Sequence, residues 1–246
     1  MKNFDIDYYF GNILDSELFY KLIDKKTNIM DIFDEGYKFI KKISKQVIKT
    51  ECNLDGVKII GNVYIDDGTI IEHGCVIEGP VYIGKNCRIL YNSYIRPGTI
   101  MGNDCFVGFS SEIKHTIMRD GSKVSDLAFV GDSIIGKNSR ISSGVIVANR
   151  GFNQSNIITK DNLKNKYDLD RDVMGIVLGD NSRIGANCTT SPGTFIGMFT
   201  FVFPHTFIYG FIPSEKKVYD KQSMVFLENE KQVLSKATDW DHSKYN

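Results

Sequence analysis

Residues 59–113, IIGNVYIDDGTIIEHGCVIEGPVYIGKNCRILYNSYIRPGTIMGNDCFVGFSSEI, carry the pattern that decides the fold. Every sixth position is aliphatic: Ile59, Ile65, Ile71, Ile77, Ile83, Ile89, Ile95, Met101, Val107 and Ile113. Four places on from each, Val63, Thr69, Cys75, Val81, Cys87, Ser93, Thr99, Cys105 and Ser111 are all small. Neither a 3.6-residue helix nor a two-residue strand alternation gives a strict six. A hexapeptide parallel β-helix does, because each six-residue rung makes one short strand and one corner.

The corners agree. Ile-Gly-x-Asn recurs at Ile83–Asn86, Ile135–Asn138 and Ile184–Asn187, and Gly and Asn are the residues that accept tight or left-handed corners. Past Ile113 the phase slips by two residues, with Ile117, Phe129, Ile135, Ile141 and Val147 read in a new register broken at Lys123. A third run covers Leu178, Ile184, Thr190, Ile196, Val202 and Ile208. About twenty rungs make an all-β solenoid of six to seven coils, roughly 30 Å tall. The expected organisation is a short N-terminal helical cap at 1–56, a β-helix at 57–212 with a polar loop excursion at 150–173, and a C-terminal arm at 213–246. Helical spacing in Ile29, Ile32, Phe33, Tyr37, Ile40 and Ile43 predicts one or two helices, with Asn28 or Asp31 as N-cap. A strand is expected at 223–227.

The 246 residues carry 30 basic and 30 acidic side chains, so net charge recommends no nucleic acid partner. No secretory signal and no run of about 18 apolar residues is present, which predicts a cytoplasmic protein without a membrane span. Cys75, Cys87, Cys105 and Cys188 occupy the small-residue column, where a thiol acts as a compact hydrophobe. They are expected to be reduced, Cys52 is unassigned, and no metal is predicted.

Residues about 18 apart stack on one face, so Glu78, Arg96 and Lys114 form an outward column. Two stacked cations repel unless an anion or Glu78 neutralises them, and a phosphate would suit. His115, beside Lys114 in the register slip, is a catalytic candidate; His73 and His205 lie near corners, and His242 lies in the tail. No GxSxG, HExxH, P-loop or dinucleotide GxGxxG occurs in a fitting context.

The block Arg96-Pro97-Gly98, Glu112-Ile113-Lys114, Gly121–Asp132 (GSKVSDLAFVGD) and Ser143–Asn149 resembles a known family. It is similar to the acetyltransferase half of the bifunctional UDP-N-acetylglucosamine pyrophosphorylase/glucosamine-1-phosphate N-acetyltransferases, which are hexapeptide-repeat left-handed β-helix acyltransferases. The resemblance runs from about Pro97 to Pro204. It implies a left-handed coil, a homotrimer with its site between subunits, and acetyl-CoA as co-substrate. It sets Arg96 and Lys114 on the sugar phosphate, Asn149 on the sugar, and Ala186 and Pro204 along the coenzyme A channel. Asp126 stands where the family has its histidine base, and Phe129 and Arg150 stand where tyrosines contact the sugar. The pyrophosphorylase domain has no counterpart here, so nucleotidyl transfer is not expected.

A carboxylate with an ordinary pKa is a poor base at neutral pH, so Asp126, His115 and His205 all stay open as the base. The expected function is acyl-CoA-dependent transfer to a phosphorylated amino sugar or nucleotide sugar in cell-envelope sugar metabolism. The alternative is a non-catalytic sugar-nucleotide-binding or scaffold protein.

Overall fold

A computed structural model describes residues 4–11, 17–23, 28–43, 45–49, 54–161 and 163–220. It is a parallel β-solenoid whose three faces are sheets of nine, eight and eight strands. The first face runs from Val47–Ile48 to Phe211–Ile212, the second from Ile70–Ile71 to Lys217–Val218, and the third from Lys58–Ile60 to Phe207–Ile208. The stack is therefore eight to nine strands deep, beyond the six to seven coils that hexads alone count. Val47–Ile48 and Lys217–Val218 add rungs within stretches that carry no repeat. The strand expected at 223–227, Cys52 and His242 lie outside the described residues.

Inward residues of all three faces form one core, fully buried from Val63 and Ile65 through Ile196. Burying each such side chain contributes about 1.5–3 kcal/mol. The small column is buried too, and its hydroxyls satisfy corner carbonyls: Thr69 Oγ1 donates to Gly84 O at 2.8 Å and Ser93 Oγ to Gly108 O at 2.7 Å. Cys75, Cys87, Cys105 and Cys188 are free and buried, as their column predicts.

The register corrects one reading. Strands pair 18 residues apart down to Glu112↔Tyr94, then 17 apart at Ile117↔Ile100, Glu112↔Phe129 and Ile134↔Ile117. The two lost residues are thus two separate single losses, between the inward residues Ile113 and Met118 and between Val130 and Ile135. Met118, Val124 and Val130 are the core residues here; Ile117 and Phe129 point outward.

Ile117 is apolar because the first face is covered. Its outward column of Ile100, Ile117, Ile134, Val177, Phe195 and Phe211 forms a second core with the N-terminal segment. That segment holds α1 (Ile6–Tyr9), α2 (Glu17–Ile23) and α3 (Ile29–Ile40), the last N-capped by Asn28. Gly36 lets α3 approach closely, since a Cβ there would sit 2.7 Å from Ile117 Cδ1. Beneath α2, Arg119 Nη1 reaches both oxygens of Asp180 at 2.6 and 2.7 Å, with its guanidinium 4.2 Å from the ring of Phe19. Asp180 also accepts from Gly11 N and Lys137 N, fastening the segment to the solenoid.

The 150–173 excursion is an ordered antiparallel hairpin of Ile158–Lys160 and Lys166–Asp168. Asp161 closes its turn by accepting from Leu163 N, Asn165 N and Tyr167 Oη. Ile157 and Leu169 bury in the second core, and Arg171 lies over Phe33 of α3.

Candidate functional site

Each of the two shortened corners carries a residue with positive φ, His115 at 47° and Asp132 at 50°. Losing one residue at each corner brings these side chains together where the third face turns into the first. His115 Nδ1 lies 2.9 Å from Asp132 Oδ1, Lys114 Nζ 3.3 Å from Oδ2, and Asn149 Nδ2 donates to Oδ2 at 2.5 Å. Gly98 makes room on one side, as a Cβ there would collide with His115 Cδ2. Tyr37 of α3 presents its ring edge-on to His115 at 6.2 Å. The hairpin's return is hydrogen-bonded to the same corner, Gly175 N to Asp132 O and Met174 N to Asn149 O.

Asp132 is the hub and is 3% exposed. Burial alone would raise its pKa, but the hydrogen bonds from His115 and Asn149 and the charge of Lys114 outweigh that and leave the carboxyl below its ordinary range. An ionised Asp132 accepts from His115 Nδ1–H, which in the neutral imidazole leaves Nε2 as the nitrogen with the lone pair. A half-exposed imidazole oriented by a buried carboxylate is an arrangement that can accept a proton from a bound nucleophile.

Arg96 and Lys114 do stack, one turn apart, but Glu78 forms a direct ion pair with neither. Glu78 accepts from Tyr94 Oη, while Arg96 Nη1 pairs with Glu112 Oε1 at 2.7 Å. The other expected residues sort by position. Phe129 lies on the third face, its ring against Gly131 beside Asn149. Arg150 stands at the hairpin base, bridged to Val173 and 3.9 Å from Asp172. Asp126, Ala186, Pro204 and His205 occupy the opposite margin, where the second face turns into the third. There Asp126 Oδ1 accepts from Phe109 N at 2.8 Å. A face is about five residues wide, roughly 15 Å, so one chain does not join the two margins. His73 packs beneath Gly56. Asp132 was not singled out from sequence; its signal is the 17-residue register, which sets it one step from His115.

The family described as the GMPPB C-terminal domain matches residues 89–218. The chain belongs to that family. The chain is 36% identical over 196 residues to the bifunctional protein GlmU of Methanococcus maripaludis (strain C5), covering 79% of this chain and 46% of that protein. It is 39% identical over 151 residues to the bifunctional sugar-1-phosphate nucleotidylyltransferase/acetyltransferase of Sulfurisphaera tokodaii, covering 61% and 37%. The chain thus spans less than half the length of these relatives. Among solved structures it is similar to the polysialic acid O-acetyltransferase OatWY, with 15% identity, a TM-score of 0.40, and 79% and 96% of the chains covered. It is also similar to AntD, an N-acyltransferase from Bacillus cereus in complex with dTDP and coenzyme A, with 15% identity, a TM-score of 0.35, and 74% and 83% covered. Among the described residues no group of three or more His, Cys, Asp or Glu side chains could hold a metal. Among the same residues, no helix is long and apolar enough to cross a membrane.

Proposed function

We propose that the chain is an acyltransferase that moves an acyl group, acetyl in the simplest case, from a coenzyme A thioester to a phosphorylated amino sugar or nucleotide sugar. The observation that carries this is His115 held on buried Asp132, with Lys114 and Asn149 on the same carboxylate. Kinship with proteins named as nucleotidylyltransferase/acetyltransferases supports it.

In this reading the acceptor nitrogen attacks the thioester carbonyl and the C–S bond breaks. The proton passes from nitrogen to His115 Nε2 and on to the departing coenzyme A sulfur. Lys114 and Arg96 hold phosphate by exchanging a carboxylate partner for it, and Asn149 orients the sugar. Coenzyme A lies along the Ala186–Pro204 margin. Since that margin is a face away from His115, a neighbouring copy in a homotrimer supplies it. Four free cysteines and a coenzyme A donor both fit the cytoplasm.

A second reading is favoured by Asp126, whose carboxylate is engaged by the Phe109 amide rather than free to act as base. Under it the chain binds a sugar nucleotide, or serves as a scaffold, without turnover.

Thiol release from acetyl-CoA across amino-sugar phosphates and nucleotide sugars separates the two. Turnover that falls about 10²-fold or more in His115→Ala, with Asp126→Ala within about twofold of wild type, supports the first. Loss of turnover in Asp126→Ala alone would transfer the base role to Asp126. Ligand binding without thiol release from any acceptor would establish the second reading.

A further inference from the structure

From the strand register we infer that the acceptor is a nucleoside diphosphate sugar, and that its base sits in a pocket beneath the hairpin. The inference rests on the reading that places the sugar at the Asp132–Asn149 cluster.

Strand pairs Val130↔Val147, Val147↔Thr190 and Thr190↔Ile208 fix one column along the margin. Two residues beyond these positions, Asp132, Asn149, Pro192 and Gly210 succeed one another turn by turn. Beside them run Gly131, Ala148, Ser191 and Tyr209. Three inter-strand steps measure about 14 Å, about the length of an extended nucleoside diphosphate sugar from its sugar to its base.

The far end of that column is a pocket of about 340 Å³ walled by Lys160, Ser191, Pro192, Phe207, Tyr209 and Gly210. Phe207 and Tyr209 are 54% and 65% exposed, and their rings lie 5.8 Å apart at 34°. Two exposed rings at the mouth of a pocket offer a planar heterocycle a stacking platform that any base can use. Gly210 is held at a φ of 70°, and a Cβ there would collide with Lys160 O. The hairpin strand is thereby kept close enough to form the other wall, with the Lys160 ammonium and the Ser191 hydroxyl available to phosphate or base edge.

Beside Asn149, one step from Asp132 on the way to the pocket, stands Arg150. Its contact to Asp172 is a loose one, 3.9 Å between groups that are each more than half exposed. A diphosphate passing here meets a guanidinium whose present partner is easily displaced. A plain sugar phosphate would reach the Asp132 end and leave the aromatic end unused.

Calorimetric titration with UDP, dTDP and GDP, and separately with glucosamine 1-phosphate, tests this. At least one nucleoside diphosphate should bind. Tyr209→Ala should weaken that binding about tenfold or more, Tyr209→Phe should leave it within about twofold, and glucosamine 1-phosphate should bind both variants like wild type. Absence of binding by all three nucleotides, or equal affinity in Tyr209→Ala, overturns the inference. Acyl transfer to a sugar phosphate with no nucleotide binding would leave the acyltransferase reading standing while this one fails. Nucleotide binding lost in Tyr209→Ala, without transfer to any acceptor, would do the reverse.

Discussion

Asp132 holds His115, Lys114 and Asn149 at once, so a change to it tests the whole cluster. Its folded pKa lies below the unfolded carboxylate value of about 3.9. Its contribution to stability is therefore fully present above that value and is lost as pH falls through the folded pKa. Asp132→Asn should cost about 2 kcal/mol at pH 7. It should also shrink the loss of stability between pH 5 and pH 2.5, read from urea midpoints at the two pH values. The same variant should lower kcat/KM about 10²-fold or more, because an amide no longer selects the histidine tautomer that leaves Nε2 basic. Equal acid sensitivity in variant and wild type would assign the cluster no role in stability. The cations and the histidine were legible in the sequence because each is a chemically marked residue beside the repeat, and the asparagine entered through the family resemblance. Asp132 was not, because its importance comes from burial and from a register that counts 17 residues instead of 18.

At the scale of elements, the buried Arg119–Asp180 pair joins the N-terminal helices to the solenoid, and its two halves should fail differently. Burial raises the Asp180 pKa and the Arg119 guanidinium opposes that. Asp180→Asn removes a carboxylate from beside a buried cation that cannot be discharged, so it should cost about 1–3 kcal/mol at any moderate pH. Arg119→Met leaves the Asp180 carboxyl with only the amides of Gly11 and Lys137, and that carboxyl can take up a proton. With its folded pKa raised, Asp180 in that variant is tolerated below the unfolded value of about 3.9 and becomes destabilising as pH rises. Arg119→Met should thus lie closer to wild type at pH 4.5 than at pH 8, whereas the Asp180→Asn deficit stays level. Thermal unfolding at the two pH values checks this, and parallel behaviour of the variants would refute it. The pair is 61 residues apart across the hairpin insertion, which is why hexad counting did not connect it. The covered first face was missed as well, because Ile117 was counted with the inward hexads and the N-terminal helices were expected only as a cap. Tyr82, Ile100, Ile117 and Ile134 are outward yet apolar, a pattern that calls for a packing partner such as the amphipathic α3.

For the molecule as a whole, the repeat separates scaffold from site. The core column was legible because inward positions recur without regard to what lies outside. The slip was legible as an event, but not as two single deletions, because Ile117 resembles a core residue as much as Met118 does. This separation makes a specific insertion informative. One glycine added after His115 restores the six-residue spacing from the inward Ile113 to Met118. Every strand on either side keeps its own alternation, so no core side chain changes face, and the corner becomes the ordinary length found elsewhere in the coil. The added closure entropy is a few tenths of a kcal/mol, so the melting temperature should stay within about 4 °C of wild type. The His115–Asp132 contact, which needs the short corner, should be lost, and a displacement of about 1 Å already costs about 10²-fold in rate. An unchanged far-ultraviolet spectrum with turnover reduced at least that much would show that the solenoid gave up one residue for its site rather than for its fold. Collapse of the fold on insertion would show instead that the 17-residue turn is needed by the core itself.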